Sequence, residues 1–185
     1  MVLLCYRSAS MPAPLHYNTS AKANEHHLKS LLGTLMSCRT AIDDHTACNV
    51  FVARGIKLCF GIRDFCKPGD GVEDETYPSA NEIAEQAKQH WHLIGPAGQQ
   101  LNLNRAQAYV NGGRAVIAVL SVPGHHGHVC LILPGELTPS STWGLKAPNS
   151  ASFRLDDVKG CYVGGRLSKA FGADKKDTVL LYQRK

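Results

Sequence analysis

The chain is predicted to fold as an α+β domain, with helices packed on an antiparallel sheet. Apolar residues recur at helical spacing up to about residue 112, and β-rich runs replace them from residue 115 onward. The 185 residues suffice for one core and are short for two, and 44% hydrophobic against 19% charged residues excludes a disordered tail or a collagenous repeat. Residues 1–185 are therefore read as a single domain.

Residues 1–23, with Pro12, Pro14, Asn18, Thr19 and Ser20, lack periodicity and are expected to form an irregular arm. From Asn24, the spacing of Leu28, Leu31, Leu32, Leu35 and Met36 predicts an amphipathic helix. A polar turn, Asp43-Asp44-His45-Thr46, leads into Cys48–Leu58, apolar on nearly all sides. That run suits a short buried helix, although its valines would also fit a strand. Residues 61–78, rich in Gly, Asp and Pro, read as a surface loop. Ser79-Ala80-Asn81-Glu82 then matches the capping box, and Ile83, Ala84, Ala87 and Trp91 continue a helical face. A further helix is expected from about Asn102 through Leu103, Ala106 and Val110, stopped by Gly112-Gly113.

Beyond it, Ala115–Leu120 and His128–Leu133 read as two strands of a hairpin turning through Pro123-Gly124-His125-His126-Gly127. Further strands are expected near Thr142–Ala147, Ala151–Leu155 and Thr178–Gln183, with helices covering one face of the sheet.

The net charge of +5 is spread along the chain without a basic stripe, so nucleic acid is not an expected partner. A mild positive excess still favours encounter with polyanions, cell-wall polymers included. No run approaches the roughly 20 apolar residues that cross a bilayer. The apolar start Met1–Cys5 ends at Tyr6 and Arg7, short of an export signal.

Seven cysteines (Cys5, Cys38, Cys48, Cys59, Cys66, Cys130, Cys161) leave at least one without an intramolecular partner. Cys48 stands where a polar loop becomes a helix, and there the exposed N–H groups and the helix dipole favour a thiolate. Cys48 is thus the candidate nucleophile. His128, opening an apolar strand, is the candidate base, because a strand holds a ring rigidly. Gly127 before it is expected to leave room for a substrate backbone. His125 and His126 read as hairpin residues. An alternative places His126, His128 and Cys130 on one strand face as the ligands of a metal-dependent hydrolase, though no HExxH or paired CxxC motif accompanies them.

Cys48-x-x-Phe51-Val52, followed by Gly113–Ala118 and then Gly127-His128-Val129-Cys130-Leu131-Ile132, resembles the papain-like NlpC/P60 and CHAP cell-wall peptidases. Within that group it is most similar to the amidase effectors of type VI secretion. The resemblance covers roughly residues 40–155. It implies a cysteine-bearing helix packed on an antiparallel sheet that carries the histidine, and cleavage of amide bonds in peptidoglycan stem peptides or crosslinks without metal or other cofactor. Carried over by motif, Cys48 is the nucleophile and His128 the general base, with the Cys48 N–H as one oxyanion donor. The third, ring-orienting residue is expected near Ala147–Ser152, where the histidine common in that family is missing. Asn149 is the first choice, with Ser150 and Ser152 as alternatives. The resemblance also implies a cognate immunity protein that occludes the groove. It further implies synthesis in the cytoplasm and delivery to the periplasm of target bacteria, where Cys59 and Cys66 could pair as a disulfide. A non-catalytic wall-binding module on the same fold is the remaining reading.

Overall fold

A computed structural model describes residues 21–37, 47–68, 75–154 and 160–185. Its elements in chain order begin with α1 (Ala21–Ser37), α2 (Ala47–Phe60), β1 (Lys67–Pro68), β2 (Glu75–Thr76), α3 (Ala80–His90), β3 (Trp91–Pro96) and α4 (Gln100–Asn111). They continue with β4 (Val116–Leu120), β5 (His128–Ile132), β6 (Thr138–Ser140), β7 (Leu145–Ala147), β8 (Asn149–Ser152), β9 (Tyr162–Arg166) and β10 (Leu180–Arg184). Two short 3-10 turns, Leu167–Lys169 and Ala173–Lys175, precede the last strand. The protein is α+β, with helices on an antiparallel six-stranded sheet ordered β3-β10-β4-β5-β8-β9. Two small hairpins, β1–β2 and β6–β7, stand beside it. Among the described residues, no helix is long and apolar enough to cross a membrane.

Contrary to expectation, both faces of the sheet are covered. On one face Ile117, Val119, Val129, Leu131 and Tyr182 pack with Leu28 and Leu31 of α1, Phe51, Val52 and Ile56 of α2, and Ile83 and Ala87 of α3. On the other, Val116, Ala118, Cys130, Ile132 and Leu181 pack with Leu103, Ala106 and Val110 of α4, and with Leu167 and Phe171. Strands buried on both sides need apolar residues at every position. The unbroken runs Val116–Leu120 and Val129–Leu133, which lack polar alternation, follow from this.

The helical pattern at Leu28–Leu31 is realised in α1, which starts at Ala21, ahead of the expected Asn24. The expected arm is otherwise outside the described residues, as is the turn 43–46. The Cys48–Leu58 run is helical, and the Ser79–Glu82 capping box forms, with Ser79 Oγ accepting the Glu82 N–H at 3.3 Å and Glu82 Oε2 accepting the Ser79 N–H at 2.7 Å. Trp91 does not extend that helix: it is the first residue of β3, an unforeseen edge strand. Strand β9 was also unforeseen, its alternation hidden by Gly164-Gly165.

Candidate active site

Helix α2 lies along β5. A Cβ added at Gly55 would sit 2.5 Å from Leu131 Cδ1, so helix and strand are in close contact at that level. Cys48 lies seven helical residues earlier, about 10 Å along the axis, and His128 three strand residues before Leu131, again about 10 Å. The two run in the same direction. The Asn49 amide beside Cys48 donates to the Pro78 carbonyl at 2.7 Å, just before the α3 residues that hold the β4–β5 turn, and the Phe51 ring lies 6.2 Å from that of Phe153, which follows β8. Cys48 and His128 thus reach the same end of the sheet.

They approach it from different layers. Cys48, half-buried, packs against the cluster that includes Val129 and Leu131. His128, as the first residue of β5, shares its side of the strand with Cys130. The buried Cys130 thiol is pushed far above the ordinary thiol range, first by burial and then by repulsion from any charge on Cys48. Helix α2 carries no acidic side chain in its first turn to oppose a thiolate at Cys48.

The imidazole of His128 is held on two sides. Its Nε2 lies 2.9 Å from the hydroxyl of Ser152, which is fully buried. The ring of Phe171 meets it edge-on, with centroids 5.2 Å apart and planes at 68°. Strand pairing explains why Ser152 is the residue that arrives. Leu131 faces Ala151 and Ile132 faces Ser150, so β8 runs toward the His128 end as its numbers rise.

The same register removes Asn149 from the third position. Its carbonyl accepts the Leu133 N–H at 2.8 Å and its side-chain amide donates to the Pro134 carbonyl at 2.8 Å, both beyond the far end of β5. Ser150 is engaged elsewhere too, with its hydroxyl 2.9 Å from the Tyr162 phenol and donating to the Gly165 carbonyl at 2.9 Å.

The other described cysteines are differently placed. Burial pushes the Cys59 thiol up to about 12. Cys161 Sγ accepts the Arg154 N–H and donates to the Arg154 carbonyl, each at 3.1 Å. Cys66 donates to the Ala53 carbonyl at 4.0 Å. The expected Cys59–Cys66 disulfide is not formed, since both sulfurs remain thiols. Cys5 and Cys38 lie outside the described residues.

Two further expectations are corrected. Gly127 offers no room to a substrate, because a Cβ there would stand 2.5 Å from Asn81 Oδ1 and 2.6 Å from the Leu120 carbonyl. His126 lies in the exposed turn before β5, so His126, His128 and Cys130 do not share one strand face. No group of three His, Cys, Asp or Glu side chains that could hold a metal ion occurs among the described residues.

Sequence reasoning missed Phe171, whose apolar character carries no sign of its neighbour. It ranked Ser152 behind Asn149 because strand register cannot be read from residue types. Fold and site together define an α+β protein whose sheet end carries a serine-anchored histidine and, from the helical layer, a cysteine at a helix start. The chain matches no protein-family model, and no curated protein matches it.

Proposed function

We propose that this protein is a cysteine amidase that hydrolyses amide bonds in peptidoglycan stem peptides or crosslinks, on a fold of the NlpC/P60 type. The observation that carries the reading is the contact between His128 Nε2 and Ser152 Oγ at the sheet end reached by the start of α2. With Nε2–H donated to Ser152, Nδ1 carries the lone pair and serves as the base.

In the reaction, Nδ1 takes the Cys48 thiol proton and the sulfur attacks the scissile carbonyl carbon, forming an S–C bond. The Cys48 N–H at the helix start stabilises the oxyanion. The C–N bond then breaks as the imidazolium protonates the leaving amine. Water, deprotonated by the same Nδ1, attacks the thioester and releases the carboxylic acid and the thiol. Ser152 takes the orienting role first assigned to Asn149, and Phe171 walls the ring on its other side.

Action as an antibacterial type VI effector, delivery to a target periplasm, and a cognate immunity protein over the groove belong to the same reading and rest on the sequence resemblance. The test is digestion of purified sacculi followed by mass spectrometry of the muropeptides. Wild-type protein releases new amino groups and Cys48→Ala releases none while keeping its circular dichroism. Binding to sacculi without cleavage by the wild type, or undiminished cleavage by Cys48→Ala, overturns the proposal.

A further inference from the structure

The segment Pro78–Asn81 is fastened to both halves of the candidate site. On one side, Asn49, which follows Cys48 and is 1% exposed, donates its amide to the Pro78 carbonyl at 2.7 Å. On the other, Asn81, the second residue of α3, makes four contacts with the turn that leads into His128. Its Nδ2 donates to the carbonyls of Val122 at 3.2 Å and His125 at 2.9 Å. Its Oδ1 accepts the Val122 N–H at 3.0 Å and the Ser121 hydroxyl at 3.2 Å. One short side chain thus adds four contacts to a turn whose own backbone bond runs from the His125 N–H to the Val122 carbonyl at 3.0 Å.

The fit leaves no slack. Gly127 stands against Asn81 Oδ1 and is 3.4 Å, measured from an added Cβ, from the Cβ of Ala80. The start of α3 is in turn fixed by the capping box of Ser79 and Glu82. Four residues therefore join the backbone beside the nucleophile to the backbone that delivers the base.

Resting on the reading of Cys48 and His128 as a catalytic pair, we infer that Asn81 is a positioning residue, which sets His128 against Cys48 by bracing the 121–127 turn on the segment that also holds the start of α2. Asn81 does not touch the reacting atoms. Its contribution is the separation between thiol and imidazole, to which ion-pair formation is steeply sensitive.

The experiment reads the pair without any substrate. Alkylation of Cys48 by iodoacetamide is followed from pH 5 to pH 10 by mass spectrometry of the Cys48 peptide, in the full chain, for wild type, Asn81→Ala, Asn81→Asp and His128→Ala. Asn81→Asp keeps the size and the acceptor contacts while losing both donated bonds, and serves where Asn81→Ala fails to fold. The inference predicts that either Asn81 variant, folded by circular dichroism, loses the low-pH reactivity and slows alkylation at pH 6 by about tenfold, the effect of about one pKa unit. A folded Asn81 variant with a lowered melting temperature and an unchanged pH profile overturns the inference alone. If His128→Ala also leaves the wild-type profile unchanged, the catalytic pair itself is overturned.

Discussion

His128 Nε2 and Ser152 Oγ lie 2.9 Å apart, joining the first residue of β5 to the last residue of β8. The hydroxyl is fully buried, so the contact fixes the ring where water cannot compete for it. Ser152→Ala is predicted to lower turnover by about tenfold or less, since one neutral hydrogen bond contributes about 1 kcal/mol net. Asn149→Ala is predicted to leave the pH profile of turnover unchanged and to act on stability alone, through the lost bond to the Pro134 carbonyl. Steady-state rates across pH check both.

Helix α3 begins with a complete capping box, so Ser79→Ala leaves the Glu82 N–H without its side-chain acceptor. Loss of such a cap costs about 1 kcal/mol. A lower urea midpoint at unchanged slope is the expected result.

Two glycines are predicted to respond in opposite ways to alanine. At Gly127 the new methyl overlaps Asn81 Oδ1 and the Leu120 carbonyl, and such overpacking costs about 1–3 kcal/mol. At Gly33, inside α1, nothing lies within 4 Å, and alanine there gains about 0.5–1 kcal/mol of helix stability. Urea unfolding of the two variants gives the signs directly.

Alkaline pH is predicted to weaken the fold through its buried thiols. The folded-state Cys59 thiol is held up to about 12 by burial, while in the unfolded chain it ionises near its ordinary value of 9.0. Between these values the unfolded chain gives up a proton that the native state keeps, so stability falls by about 1.4 kcal/mol per pH unit for each such thiol. The stabilisation is complete below pH 9 and lost as pH rises toward 12. Cys130, raised in the same direction by burial, steepens the loss. Urea unfolding at pH 8, 9 and 10 measures the slope, and Cys59→Ala is predicted to flatten it.

Much of this architecture was legible in the residues. The helical face Leu28–Leu31, the Ser79–Glu82 cap and the hairpin around residues 123–127 each depend on local spacing, and local spacing is what a sequence displays. What escaped depended on pairing between distant segments. The register that sets Ile132 against Ser150 brings Ser152 to His128 and leaves Asn149 beside Leu133, and no residue type announces it. Strand β3 was hidden because Trp91 fits the apolar face of the preceding helix as well as the first position of a strand. The second layer was implicit in the apolar run Val129–Leu133, whose lack of polar alternation signals burial on both sides.

The central claim is that the Cys48 sulfur and the His128 ring interact as a pair. An NMR titration of the imidazole signals, with His128 assigned by comparison with His128→Gln, measures this in wild type and in Cys48→Ala. A thiolate partner favours the imidazolium, so the account predicts that removing the thiol lowers the His128 pKa by about one unit or more. An identical His128 titration in the two proteins would contradict it.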